Sequence, residues 1–483
     1  MKFIRFENKM VRSVLEHHGL SQTESHEWNL LWSSGSCKNY QYEGLNEYQK
    51  INKFPQSYEI TRKDRLCFNI VRMQDKFGKA MFDLAPDTYI LPEEFGDFYN
   101  HYQKLKQNES KKNVWIIKPA NACQGRGIYI IDDINDVNVD ETSVISKYIT
   151  NPLLINGHKF DLRIYVCITS YEPLRVYVHQ EGLARFASET YTQKINKQNK
   201  FMHLTNYSIN KRNEKFVANE NCEQDDFGFK WSLGAFCKHL EQVGIDMDLL
   251  WSRIYDLIIK TLLCSENYIQ ASMKKNGCHR TNCYELMGFD ILIDSDLKPW
   301  LLEVNISPSM ATDAPLDMNI KSTLLVDTLN LVGIKRFDRK KESMNKIKNR
   351  MKGLYGNTVN KVPGQNTAQK KQGLQSGIQG TALNSNAQDA QKTTQELHQM
   401  IDKLALDSNS EFAGMVEPMK RAANCRYREY IRETLAEYQR RGNFVRIYPA
   451  KGSDQYDHLF QGARPYNKVL YKALYTDELL KSN

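Results

Sequence analysis

The stretch that most constrains this chain is GFDILIDSDLKPWLLEVNISPSM, residues 288–310. Two apolar runs flank the turn-forming residues Asp294, Ser295, Asp296 and Pro299, the pattern of an antiparallel β-hairpin. Side chains two apart on a strand share a face, so Glu303 and Asn305 point the same way. A four-residue loop from Ser295 to Lys298 then sets Asp290 directly opposite Glu303. Two carboxylates that close, set among Ile, Leu and Val, repel each other and lose hydration. At least one pKa rises unless a cation intervenes. No Lys or Arg within the two strands supplies one. Hard oxygen ligands too few for a calcium cage suit Mg2+, which keeps waters and binds one or two carboxylates together with substrate phosphates. The hairpin therefore predicts a bound nucleotide. The alternative is an ordinary hairpin whose acids reach solvent at the strand ends.

At 483 residues the chain has room for roughly three domains. No run approaches the ~18 uninterrupted apolar residues of a membrane helix. The start, MKFIRFENKM, lacks the apolar core of a signal peptide, so a soluble, intracellular, cytoplasmic protein without a membrane is expected. Ten cysteines without a CxxC pair read as reduced thiols. Net charge is +9, but the segment from Lys335 to Lys352 carries nine Lys or Arg against two acids. It attracts polyanions, with nucleic acid, anionic membrane and acidic protein tails as candidates, or it is a solvated basic helix. No nucleic-acid motif with stacking aromatics accompanies it.

Residues 1–110 mix helix and strand signals, as in NKMVRSVLEHHGL and EWNLLW, and read as a small α/β domain. Strands follow in NVWIIKP, GIYIID, SVISKYI, KFDLRIYVCIT and LRVYVH, and helical spacing returns in DLLWSRIYDLIIKTLLCSENYI. From 354 to 394 the composition of Gln, Asn, Gly, Ser and Thr predicts a disordered linker. Residues 395–483 regain helical and then strand character, as a C-terminal element.

WIIKPANACQGRGIYII puts Lys118 at a strand end, followed by a small-residue loop with Gly125 and Gly127 and then another strand. Such a loop lets backbone amides approach phosphate, although a plain turn would look the same. GHKFDLRIYV sets Asp161 and Arg163 on one face of an apolar run, where Arg163 can meet a transferred phosphoryl group or simply join a cross-strand pairing network. FMHLTNYSIN gathers His203, Thr205, Asn206, Tyr207 and Ser208, as a ligand cluster or as loop capping. Lys147, between apolar residues in VISKYI, suits a specific acceptor such as an adenine edge, or it snorkels.

In order, the Lys118 strand, SKYI, KFDLR, GLARF, HLTNYS, GFDILID and LLEVNISPS resemble the tubulin tyrosine ligase-like enzymes of the ATP-grasp fold, over residues from about 9 to 335. KFDLRIYVCITSYEPLRVYVHQEGLARFA, KMVRSVLEHHGL and FPQSYEITRKDRL are similar to the tubulin polyglutamylase branch. The resemblance implies an α/β (α+β) ATP-grasp architecture. Its parts would be an N-terminal α/β domain, a central lobe over 111–180, a catalytic lobe over 181–334, a basic microtubule-binding segment over 335–353, the linker, and the C-terminal element. The two antiparallel lobes would hold ATP between them.

Carried over by position, the resemblance gives Lys118, Gln124, Gly125, the backbone of Ser146, Lys147, Tyr148 and Ile149, and Lys159, Asp161, Thr205 and Asn206 to ATP. Mg2+ falls to Asp290, Glu303 and Asn305. Arg185, Tyr207, Ser208, Lys230 and Lys321 match positions that hold the incoming glutamate, and Arg163 matches the arginine at the reacting phosphate. Arg163, Arg185 and Glu303 are the expected catalytic set. Gln124 is similar to enzymes that extend glutamate chains, whereas Ile306 is similar to those that start a branch.

The implied activity is ATP-dependent ligation of free L-glutamate onto glutamates of tubulin C-terminal tails through an acyl phosphate. The expected protein is a monomer on the cytoskeleton, in the cilium or basal body. Competing readings are a glycine or tyrosine ligase of the same family and an inactive microtubule-binding protein.

Overall fold

The computed structural model describes residues 1–4, 8–108, 113–120, 125–192, 197–219, 225–336, 343–344, 347 and 417–475. The chain divides into one unit, Met1–Ile334 with Tyr430–Asn483, and a second, Lys335–Glu429. Gln124, nearly all of the basic segment and the whole 354–394 linker lie outside the described residues. Among the described residues the first unit is a mixed α/β body with three sheets.

Short strands open the chain. β1 (Lys2–Ile4), β2 (Ser21–Gln22), β3 (Leu30–Leu31) and β4 (Lys50–Ile51) pair in parallel in the order β2-β1-β3-β4. The helix Lys9–His17 starts where Asn8 accepts from the amides of Met10 and Val11, and it buries Met10, Val11 and Leu15.

β5 (Thr88–Leu91), β6 (Trp115–Pro119), β7 (Tyr129–Ile131) and β8 (Ser143–Lys147) form an antiparallel sheet in the order β5-β8-β6-β7. The helix Phe95–Lys106 lays Phe98, Tyr102 and Leu105 on Trp115, Ile117 and Ile145 of that sheet.

The largest sheet contains β9 (Leu154–Ile155), β10 (His158–Tyr171), β11 (Leu174–His179), β12 (Leu183–Phe186), β13 (Lys230–Ser232), β14 (Glu285–Ile293), β15 (Pro299–Asn305) and β16 (Phe444–Tyr448). β10 is its spine. At 14 residues it pairs with β12 and β11 along one edge and with β14 along the other. Both its faces are covered, so it reads as a nearly continuous apolar run. Phe160, Leu162, Ile164, Val166 and Ile168 enter the core beneath the helices Leu233–Gln242 and Met247–Leu263. On the opposite face Tyr165 and Cys167 pack with Leu316, Ile320 and Leu324 of the helix Pro315–Val332, which leaves Lys159, Asp161 and Arg163 at the start of that face as its polar exception.

Two expectations are corrected. A lobe boundary at 180 does not fit the topology, because β10 and β11 belong to the same sheet as β14 and β15, and the smaller antiparallel sheet already begins at Thr88. The long helical run splits at Cys264 and Ser265 into Met247–Leu263 and Glu266–Lys275.

The C-terminal residues of this unit complete the largest sheet. β16 pairs antiparallel with β11. Just before it, Glu433 and Glu437 come within 3.9 and 3.6 Å of the buried Arg175 of β11, and Thr169 donates to Glu437 at 2.6 Å. Among the described residues no helix is long and apolar enough to cross a membrane.

Candidate active site

The hairpin places its three polar side chains together. β14 and β15 pair with Asp290 opposite Glu303 and Gly288 opposite Asn305. The turn differs from the expectation: it is a three-residue loop, Ser295–Leu297, closed by the Asp294 amide on the Lys298 carbonyl at 3.1 Å, with Leu297 in the left-handed region at φ 58°. That loop alone would offset the acids by one residue. An irregularity between Asp290 and Ile291 in the pairing, where Leu302 is the extra residue of β15, restores the alignment.

As expected, no Lys or Arg within the two strands neutralises these acids, but cations from other strands reach Asp290. Arg163 of β10, which pairs with Asp290 across the sheet, donates Nε to Oδ1 at 2.5 Å and Nη2 to Oδ2 at 3.0 Å. Gly288 makes room for it, since a Cβ there would meet Arg163 Cδ at 3.0 Å and Pro308 Cβ at 3.1 Å. Arg185 of β12 reaches Asp290 Oδ2 at 2.8 Å and forms a two-pronged bond with Asp161 at 2.8 and 2.5 Å. Asp161 and Arg163 thus take different partners and do not pair with each other. Burial opposes ionisation of Asp290, yet the two guanidinium groups outweigh it and hold its carboxyl far below the ordinary range. Lys63 of the helix Lys63–Phe77 lies 3.4 Å from Glu303.

A cavity of about 360 Å³ lies against this face. Its lining includes Lys118, Gly125, Ser146, Lys147, Tyr148, Ile149, Lys159, Asp161, Thr205, Asn206, Asp290 and Glu303, nearly the whole set expected around ATP, with Ile116, Val144, Leu204 and Leu301 as apolar walls. That is the size of a small-ligand site. Gly125 has φ +75° and lies close against Ile209 and Asn206, so a side chain does not fit there. Lys159 donates to the His203 carbonyl at 2.8 Å and to Tyr148 Oη at 3.2 Å, and Tyr148 Oη lies 2.9 Å from His203 Nδ1. Burial pushes the Lys159 ammonium down to about 7 although Asp161 pulls the other way, and burial also lowers Lys118. The amides of Lys147 and Tyr148 donate to the carbonyls of Asp87 and Val114, so these two amides are already used within the fold.

The remaining expected residues gather beside the cavity. Lys230 of β13 sits opposite Arg185 across the sheet and lies over the Tyr207 ring at 4.0 Å. Lys230 and Lys321 flank Asp317 at 2.7 and 2.8 Å, and Ser208 shares the short helix Tyr207–Asn210 with Tyr207. Asp317 is buried, and Lys321 with Lys230 overcomes that burial to lower its pKa. Asp317 was not singled out from the sequence, although its spacing four residues before Lys321 on one helix was a usable signal. Nor was Lys63, whose approach to Glu303 rests on tertiary packing and leaves no local trace.

The donor set suits Mg2+ chemically, with two carboxylates and an amide on one face. Among the described residues no group of three His, Cys, Asp or Glu side chains could hold a metal ion by itself. The third protein donor would have to be Asn305, whose amide nitrogen is set 3.2 Å from Glu303 Oε1 and would turn its oxygen inward to serve. The face therefore combines hard oxygen donors, a cavity with buried lysines, and an adjoining patch of Arg163, Arg185, Lys230 and Lys321 matched by Asp161, Asp290 and Asp317. Such a site can hold a phosphorylated ligand on one side and a small anionic ligand on the other.

Comparison with known proteins gives a consistent picture. Residues 41–342 match the tubulin-tyrosine ligase family. The human tubulin polyglutamylase TTLL5 is 46% identical over 335 residues, which cover 69% of this chain and 26% of that protein. The tubulin polyglutamylase ttll-5 of Caenorhabditis elegans is 40% identical over 350 residues, covering 70% of this chain and 48% of that protein. The tubulin monoglutamylase TTLL4 of mouse is 40% identical over 327 residues, covering 68% and 27%. The chain thus spans about a quarter to a half of the length of these relatives.

Proposed function

The chain belongs to the tubulin-tyrosine ligase family, and on that premise we propose that it is a tubulin polyglutamylase, an ATP-dependent ligase that joins free L-glutamate to glutamate side chains in tubulin's acidic C-terminal tails. The observation that carries this reading is Asp290, set opposite Glu303 on the hairpin and held by both Arg163 and Arg185, between a nucleotide-sized cavity and a second cationic patch. We read the two antiparallel sheets as ATP-grasp lobes around ATP, and the basic segment from Lys335 as the element that meets the acidic microtubule surface. A cytoskeletal and ciliary location would follow from that substrate.

A carboxylate does not react with an amine at neutral pH, because oxide is too poor a leaving group. In the proposed reaction an acceptor carboxylate oxygen attacks the γ-phosphorus of ATP, the bond to the bridging oxygen breaks, and ADP departs. The amine of free glutamate then attacks the acyl phosphate carbon, loses a proton and expels inorganic phosphate. Lys118 and Lys159 bind the phosphates of ATP. Arg163 orients the transferred group and offsets the repulsion between two anions. Arg185, Lys230 and Lys321 hold the carboxylates of the incoming glutamate, and three cations there favour an acidic amino acid over glycine or tyrosine. Mg2+ at Asp290, Glu303 and Asn305 would supply charge neutralisation across the phosphates. The test is isotopic. With heavy oxygen in the acceptor carboxylate, an acyl phosphate requires label in the released phosphate, and unlabelled phosphate would reject this route.

A further inference from the structure

Lys53, in the loop after β4, is only 2% exposed. Its Nζ donates to the Ile306 carbonyl at 2.6 Å and lies 3.5 Å from Glu285 Oε1. Glu285 is the first residue of β14, and Ile306 follows Asn305, the last residue of β15. Continuing the pairing of Gly288 with Asn305 sets Ile306 opposite Met287, two residues in from Glu285, so one ammonium ties both strands near the open end of the hairpin. The loop that carries Lys53 is itself fixed. Ile51 donates to the Asn282 carbonyl at 2.7 Å, Tyr284 donates to the Ile51 carbonyl at 3.0 Å, and Phe54 donates to Glu285 Oε2 at 3.1 Å.

None of the chemistry above uses this charge. A lone buried ion pair is weak support for stability, because desolvation of both ions offsets their attraction, and well-packed apolar residues serve as well or better. The bond that an apolar pair could not replace is the one to Ile306. Beyond Asn305 the strand leaves its partner, the next carbonyl has no ladder amide to meet, and a charge-assisted bond from a fixed lysine holds it. Glu303 and Asn305 lie three and one residues before that anchor.

We propose that Lys53 is a positioning residue for the Asp290, Glu303 and Asn305 face, pinning the end of β15 through the Ile306 carbonyl so that Glu303 and Asn305 keep the spacing that Mg2+ with ATP requires. The inference rests on the reading of that face as the Mg2+·ATP site. Groups that orient metal ligands from outside the coordination shell change metal affinity by ~10–100-fold when removed.

The test measures binding of the slowly hydrolysed analogue ATPγS by calorimetry as Mg2+ is varied, so that no turnover is needed. In K53M the Mg2+ midpoint should rise by roughly 10–100-fold, while a separate turnover assay with ATP at saturating Mg2+ should show an unchanged KM for glutamate. K53M also strands Glu285, so the double variant K53M/E285M removes both charges. It should recover thermal stability yet keep the raised Mg2+ midpoint. E285Q, which keeps the lysine bond to Ile306, should bind Mg2+ like the wild type. A stable double variant with a wild-type midpoint would overturn the proposal, as would E285Q shifting as far as K53M. Failure of both Lys53 variants to fold would make Lys53 a structural residue and overturn it too. A wild-type protein without Mg2+-dependent ATPγS binding would instead reject the nucleotide reading, and this proposal with it.

Discussion

Asp290→Asn is the sharpest perturbation of the buried charge cluster. The carboxylate is 2% exposed and receives Arg163 at 2.5 and 3.0 Å and Arg185 at 2.8 Å. In the wild type, Asp161 and Asp290 balance the two guanidinium groups. In D290N, Asp161 alone faces both. Removing one partner of a buried pair costs ~3–5 kcal/mol, and asparagine, which keeps the volume and one acceptor oxygen, should fall near the lower figure. Because unfolding entropy grows with chain length, ~3 kcal/mol in a chain of this size is a Tm drop of roughly 3–5 °C by scanning calorimetry. The pH dependence gives a second check. The folded-state pKa of Asp290 lies below its unfolded value of ~3.9, so its contribution is complete above that value and fades as pH falls toward the folded one. The Tm gap between wild type and D290N should therefore narrow as pH is lowered from ~5 toward ~3. Equal Tm values at neutral pH, or a gap that does not narrow in acid, would refute the assignment of Asp290 as the shared acceptor of both arginines.

Glu303 is less buried and meets Lys63 at 3.4 Å, so Glu303→Gln should cost only ~0–1 kcal/mol of stability. It should still lower amino-acid incorporation on the order of 100-fold, measured with labelled glutamate. Lys159, pushed down to about 7 by burial, is mostly neutral at pH 8 in the free protein, and a phosphate beside it would restore its charge. ATP binding at that pH should take up as much as about one proton, read from calorimetry in buffers of different ionisation enthalpy, and Lys159→Met should lose that share of the uptake. Glu437→Ala strips the buried Arg175 of an acid at 3.6 Å and Thr169 of its acceptor. It should lower Tm by several degrees while leaving incorporation at low temperature unchanged, as a residue that seats β16 and not one that meets substrate.

The hairpin was legible because its signals are local: alternation, turn residues and two acids in apolar runs. The four-residue loop read from the sequence sets Asp290 opposite Glu303 only by coincidence with the true register. The real loop is a residue shorter, and the irregularity at Leu302 compensates, which no local pattern announces. Arg163 and Arg185 were each visible as charges in apolar surroundings, but their convergence on Asp290 depends on β10 pairing with β12 on one edge and β14 on the other, across a hundred residues of sequence. The same holds for β16, whose partner β11 lies far upstream in the chain. Lys53 and Lys63 gave no sign of a role, since each reaches the hairpin only through packing of the N-terminal region.

Purified protein with microtubules, Mg2+ and ATP should be given labelled glutamate, glycine and tyrosine in parallel, with the tubulin tails then read by mass spectrometry. Glutamate attached to glutamate side chains of the tails, dependent on ATP and lowered on the order of 100-fold in Glu303→Gln, is the expected result. Incorporation of glycine or tyrosine in its place, or no incorporation while the protein still binds microtubules, would contradict it.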